Sequence, residues 1–331
     1  MSAPIYLIAY RGYGNEQTLH LHGRALQDAA LAPAQADDSR LENLWAAYRR
    51  LESDEVAGVH VTAHFAGGVW STVTNREGYF ALAITPATPV PTAQIWQSVY
   101  LHWSPADQPA PAVETAPWVV AQVLTPPPSA RFGVISDIDD TVLVSHAASP
   151  FKMALTALLN NARTRSPFPG VAAFYQALQA GVRGDEQNPI FYVSSSPWNF
   201  YDLLVEFMQV NEIPAGPLLL RDYGRQNLRD IGHRSHKRQA IDALLAAYPA
   251  LPFVLLGDSG QEDPEIYASV VQDFPDRILG IHIRDVTPGS VRRRKEIAAL
   301  AERTGAAGAP LLFSAVTADA VHFARQLRLT S

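Results

Sequence analysis

Phe132-Gly133-Val134-Ile135-Ser136-Asp137-Ile138-Asp139-Asp140-Thr141 is the stretch on which the fold turns. A short apolar run, Phe132–Ile135, ends abruptly in carboxylates two positions apart. Short apolar runs bounded by polar residues read as buried strands, which places Asp137 and Asp139 at a strand tip. Alternation along a strand would turn both carboxylates the same way. Neighbouring anions repel and need a cation or a shared proton. A hard divalent ion such as Mg²⁺ suits ligation by oxygen alone. An acidic loop that caps the next helix is the plain alternative.

Downstream, four further apolar runs read as buried strands: Ile190–Val193, Phe253–Leu256, Ile278–Ile283 and Leu311–Phe313. Helical periods separate them around Val171–Ala180, Asn199–Val210, Ser235–Tyr248, Pro264–Asp273, Ser290–Arg303 and Ala318–Leu327. Strands alternating with helices predict an α/β domain, a Rossmann-like parallel sheet with helices on both faces. Ligands of such sheets bind beyond the carboxyl ends of the strands.

The residues at those ends are therefore informative. Ser194-Ser195-Ser196-Pro197 follows the second strand, and hydroxyls and backbone N–H groups before a helix can cradle a phosphate. Ordinary serine capping is the alternative. A basic run precedes the third predicted strand: Arg221, Arg225, Arg229, His233, Arg234, His236, Lys237 and Arg238. It would neutralise a phosphate, face acidic lipid, or simply form a solvated face. Gly257-Asp258-Ser259-Gly260-Gln261-Glu262-Asp263 follows the third strand and again sets acids at a tip. The glycines permit close backbone approach.

Upstream the character changes. Val59, Val61, Ala63 and Phe65 alternate with polar residues, and Asn75-Arg76-Glu77-Gly78 reads as a turn between Thr72–Thr74 and Tyr79–Ile84. Leu19–Leu26, Ile95–Trp103 and Trp118–Leu124 are further candidate strands, and Leu41, Leu44, Trp45, Tyr48 and Leu51 lie on one helical face between Ser39 and Ser53. A small mostly-β, sandwich-like domain is expected over 1–128, ending in the stiff Pro126-Pro127-Pro128, with the α/β domain over 129–331.

Composition narrows the function. The 331 residues carry a formal net charge of −6, which disfavours a general nucleic-acid binder. There is no cysteine, so disulfides, thiolate metal sites and thiol catalysis are excluded. The apolar run Pro4–Tyr10 lacks a preceding basic segment and makes a poor signal peptide. No apolar stretch approaches the ~20 residues that span a bilayer. A cytoplasmic protein is expected, with any membrane contact peripheral.

The ordered set of motifs resembles the haloacid-dehalogenase-like phosphohydrolase superfamily: Asp137-x-Asp139-x-Thr141, Ser194, Lys237 and Gly257-Asp258…Asp263. FGVISDIDDT, YVSSSPWNFYDLL, LRDYG, HK and GDSGQEDPEIYASVVQDFPDRI resemble, more narrowly, the actin-patch-associated phosphatidate phosphatase family over 131–331. The resemblance implies roles. Asp137 would be the nucleophile that forms an aspartyl-phosphate, and Asp139 the acid and then the base. Mg²⁺ would be held by Asp137, the Asp139 carbonyl and Asp258, while Asp263 supports the metal or holds Lys237. Ser194 and Lys237 would bind the phosphoryl group, with Thr141, Ser195 and Ser196 lining its site; Ser195 or Ser196 could replace Ser194.

The implied substrate is a lipid phosphate, phosphatidate. Val142–Pro169 is too short for a large cap, and Pro150, Phe151, Met153, Leu155, Leu158 and Leu159 could form an apolar lip or an ordinary amphipathic helix. A phosphatase of soluble phosphorylated metabolites or nucleotides is the nearest rival. A non-catalytic binding protein on the same fold is the rival of another class. The N-terminal part offers no site, and His60 and His64 are expected to face solvent.

Overall fold

The computed structural model describes residues 4–27, 54–104, 118–139, 141–142, 168–221 and 233–331. The expected helix over 39–53, the apolar lip over 150–159, Asp140, Arg225 and Arg229 lie outside the described residues. The chain divides into two compact units, Met1–Pro128 with Asn199–Leu203, and Ser129–Trp198 with Leu204–Ser331.

In the first unit nine strands hydrogen-bond into one sheet. They are β1 (Ile5–Ala9), β2 (Gly12–Gly14), β3 (Leu19–Gln27), β4 (Asp54–Glu55), β5 (His60–Phe65), β6 (Gly68–Val73), β7 (Tyr79–Ile84), β8 (Trp96–Ser104) and β9 (Val119–Leu124). Among the described residues the hydrogen bonding joins all nine strands into one network rather than two separately bonded layers. The long β3 takes β1, β2, β4 and β7 as partners and so keeps the network continuous. The Asn75–Gly78 turn forms as its residues dictate: Asn75 Oδ1 accepts from the N–H groups of Glu77 (3.0 Å) and Tyr79 (2.9 Å), and Gly78 has φ 73°. Its flanking strands pair elsewhere, β6 with β5 and β7 with β3. Leu19, Leu21, Val61, Phe80, Val99, Leu101 and Val123 fill the core from alternate positions. His60 is exposed, whereas His64 is only partly so and lies 5.2 Å, ring to ring, from the buried His102.

The second unit holds a six-stranded sheet in the order β12-β11-β10-β13-β14-β15. The strands are β10 (Gly133–Ser136), β11 (Ile190–Pro197), β12 (Leu218–Arg221), β13 (Phe253–Asp258), β14 (Ile278–Arg284) and β15 (Leu311–Ser314). Every neighbouring pair is parallel. The helices are α1 (Val171–Ala180), α2 (Tyr201–Val210), α3 (His233–Ala247), α4 (Asp263–Asp273), α5 (Val291–Ala306) and α6 (Thr317–Gln326). β12 is the strand that sequence reading missed: Leu218–Leu220 follows Pro217 and is too short to show a period. β10 is central because its residues are buried on both faces. From β10 the chain runs outward through β11 to β12, then returns to β13 on the opposite side. In parallel sheets ligands bind at such a reversal, here the tips of β10, β11 and β13.

Candidate active site

β10 ends at Ser136, and the Asp137 N–H donates to the Leu256 carbonyl of β13 (2.8 Å). Its carboxylate is thereby carried into the interior, 1% exposed. Asp137 Oδ1 lies 2.9 Å from Lys237 Nζ, which reaches in from α3. The same ammonium donates to Asp263 Oδ1 at the start of α4 (2.6 Å) and to Gln261 Oε1 (3.4 Å). Asp258, at the tip of β13, accepts from the N–H groups of Gly260 (2.6 Å) and Gln261 (3.2 Å). Its own N–H donates to Asp263 Oδ2 (3.3 Å). Gly257 is required here, because a Cβ would stand 2.7 Å from Asp263 Oδ2.

Ligand oxygens of Asp137, Asp258 and Asp263 all lie within 4.8 Å of one another, and all three residues are buried. Three carboxylates facing one ammonium leave excess negative charge out of reach of water. Burial pushes the Asp137 pKa well above the ordinary carboxylate range; Lys237 pulls it down, and Asp263, Asp258 and Asp139 push it further up. For Lys237, burial acts to lower the pKa, but Asp137 and Asp263 override it and hold the amine charged. Asp137 Oδ2 is buried with no hydrogen-bond partner among the described residues. An oxygen-only donor set with surplus negative charge and an unsatisfied carboxylate oxygen fits a hard divalent cation such as Mg²⁺.

Asp139 turns the other way. Its Oδ2 accepts from Ser194 Oγ (2.9 Å) and Ser196 Oγ (3.3 Å) of β11, and the Ser196 N–H donates to Ser194 Oγ (3.0 Å). The expectation that Asp137 and Asp139 point alike is corrected: β10 stops at Ser136, so strand alternation ends before either residue. In β11 the pairing with β12 shifts register between Val193 and Pro197. Ser194 and Ser196 both reach Asp139, and Ser195 between them is less buried than either. Thr141 is buried, and its Oγ1 has no partner among the described residues.

Among its described residues the basic run does not form one patch. Lys237 is buried in the site, whereas Arg238 is held by Asp242 (2.8 Å), Asp273 (2.7 Å) and Ser269 (2.9 Å). Burial lowers the pKa of His236. Two supports of the strand tips were invisible in the sequence. Tyr175 of α1 donates to Ser136 Oγ (2.6 Å), since the Ser136 hydroxyl is itself committed to the Asp137 carbonyl (2.7 Å). Tyr267 of α4 donates to the Leu256 carbonyl (2.9 Å). Both tyrosines occupy apolar helical positions that read as ordinary core.

A parallel α/β domain with a buried carboxylate–lysine centre at its strand tips, flanked by serine hydroxyls, is thus the class that fold and site define. Comparison with known proteins narrows it: residues 132–285 match the family described as phosphatidate phosphatase APP1, catalytic domain. The phosphatidate phosphatase APP1 of Saccharomyces cerevisiae is 32% identical over 154 residues, which is 46% of this chain and 25% of the relative. An uncharacterized protein of Schizosaccharomyces pombe is 32% identical over 157 residues, again 46% and 25%. The chain therefore spans about a quarter of the length of the curated relatives it matches. A crystal structure of a carbohydrate acetylesterase from Xanthomonas citri shares 10% identity at a TM-score of 0.29, covering 96% of this chain and 72% of that one, too distant to bear on the fold. The narrower resemblance read from the motifs, to this phosphatidate phosphatase family, is borne out over 132–285. Among the described residues no helix is long and apolar enough to cross a membrane.

Proposed function

We propose that this protein is a Mg²⁺-dependent phosphatase that cleaves a phosphomonoester through an aspartyl-phosphate, with phosphatidate converted to diacylglycerol and phosphate. The observation that carries the reading is the pair of differently equipped carboxylates: Asp137 beside Lys237, and Asp139 beside the β11 serines. Asp137, as the anion, attacks phosphorus in line, and the bond from phosphorus to the alkyl oxygen breaks. Asp139 gives its proton to the departing alkoxide and takes one back from the water that then attacks phosphorus. That second attack breaks the bond to Asp137 and releases phosphate. Lys237 and the hydroxyl of Ser194 balance charge on the transferring group. Asp137 and Asp258 would hold Mg²⁺, which supplies positive charge that lets nucleophile and phosphate, both anionic, approach each other. Asp263 keeps Lys237 in place.

The lipid substrate draws its support from the family match and from the yeast relative's being a phosphatidate phosphatase. Rapid quench with ³²P-labelled phosphatidate tests the whole reading. Label should appear on the protein, be chased by unlabelled substrate and be absent from Asp137→Asn. Turnover without protein-bound label in the wild type would replace the covalent route by direct water attack.

A further inference from the structure

Arg293 lies beyond the matched segment 132–285, yet it binds the turn that shapes the site. It stands in the first turn of α5, where the Ser290 hydroxyl caps the helix by accepting the Arg293 N–H (3.2 Å). Its side chain is largely buried and spends most of its donors on one loop. Nε donates to the Ser259 carbonyl (2.9 Å) and Nη2 to the Gln261 carbonyl (2.6 Å). Nη2 also donates to Glu265 Oε2 (3.0 Å), and Nη1 pairs with Glu265 Oε1. A longer contact runs from Nη1 to Glu296 (3.4 Å).

The carbonyls of Ser259 and Gln261 belong to the turn whose N–H groups, from Gly260 and Gln261, hold Asp258 Oδ1. The Gln261 side chain in that turn also reaches Lys237. One planar guanidinium thus fixes the outer side of a turn whose inner side orients Asp258. We propose that Arg293 is a positioning residue for divalent-cation binding: it holds the 259–261 turn so that the Asp258 carboxylate is presented to the ion. The proposal rests on the reading of the centre as a cation site. An ion pair with Glu265 alone would need only a positive charge. Two carbonyls and a carboxylate gripped together need the fork of arginine, which lysine cannot reproduce.

Arg293→Lys separates the two roles, because it keeps the charge and loses the fork. Mn²⁺ serves as the probe, its binding followed by electron paramagnetic resonance on the full chain without substrate. Outer residues that orient metal ligands typically change affinity by about 10–100-fold, so R293K should weaken Mn²⁺ binding about 10-fold. R293K should stay folded, with the far-ultraviolet circular dichroism spectrum of wild type and a cooperative metal-free melting transition, lowered by the lost hydrogen bonds. The Mg²⁺ concentration for half-maximal hydrolysis should rise in parallel, while KM for the phosphate ester at saturating Mg²⁺ stays unchanged. Arg292→Ala, an exposed neighbour paired with Glu296 (3.3 Å) among the described residues, is the control and should match wild type. Wild-type Mn²⁺ affinity in folded R293K overturns the positioning role and leaves the phosphatase reading intact. Failure of the wild-type protein to bind Mn²⁺ overturns the cation site and the proposal together.

Discussion

Lys237 Nζ lies 2.9 Å from Asp137 Oδ1, with both side chains closed off from water. Neither group would be stable there as an ion alone. Lysine in an apolar interior tends to lose its proton and a carboxylate to gain one. Breaking such a pair from one side typically costs about 3–5 kcal/mol. Lys237→Met should therefore lower stability by about 3 kcal/mol in urea denaturation at neutral pH. Replacing both partners, by Asp137→Asn with Lys237→Met, should recover part of that loss. If K237M is as stable as wild type, the ammonium is not the counter-charge for Asp137.

Asp137→Asn keeps the shape and removes the attacking anion. Turnover should fall by roughly three orders of magnitude or more, as when a nucleophile is deleted elsewhere, with an unchanged far-ultraviolet circular dichroism spectrum. Residual activity above a few per cent would exclude Asp137 as nucleophile.

Ser194 and Ser195 should behave differently despite being adjacent. Ser194 is fully buried and bonds Asp139, whereas Ser195 is only partly buried. Ser194→Ala should reduce kcat about 100-fold, the usual cost of removing one donor to a developing oxyanion. Ser195→Ala should stay within about threefold of wild type, below the loss expected for such a donor. Steady-state kinetics on both variants decide, and the reverse order would move the phosphoryl contact to Ser195.

His282 gives stability a pH dependence of known sign. Burial, helped by Arg284, drops its pKa to about 3. The unfolded chain keeps a histidine pKa near ~6.5. Protons therefore bind the unfolded form more readily, and this contribution is complete above about pH 6.5 and is lost as pH falls towards 3. His282→Gln should flatten the denaturation midpoint between about pH 6.5 and 4 relative to wild type. An unaltered slope would mean that His282 is not buried in its neutral form.

The lipid substrate is the most exposed part of the proposal. Phosphatidate in mixed micelles should be hydrolysed faster than sugar phosphates or nucleotides at equal Mg²⁺. Each Lys or Arg near an anionic surface adds roughly 1 kcal/mol of attraction. Of the described basic run, however, Lys237 is buried and Arg238 is engaged by Asp242 and Asp273, so neither serves a membrane-facing rim. Equal or better rates on a soluble ester would transfer the same Asp137 chemistry to a metabolite phosphatase.

Much of this was legible along the chain, for a local reason. Apolar runs broken by helical periods set the parallel sheet, because burial on two faces requires continuous apolar strands. Acids and hydroxyls directly after those runs, Asp137, Asp139, Ser194 and Asp258, had to fall at strand tips. β12 escaped because three leucine positions carry no period. The one-sheet network of the first unit escaped because pairing depends on which edges of β3 find partners, not on any single strand. Tertiary structure alone decided how the tips were wired. Strand order placed β10 between β11 and β13, so Asp137 met Lys237 from α3 and Asp263 from α4, while Asp139 met the serines of β11. It brought Arg293 to the back of the Asp258 turn from 35 residues along the chain. Residue type and period are properties of neighbours in sequence, whereas charge compensation depends on burial and distance, which exist only once the helices have packed.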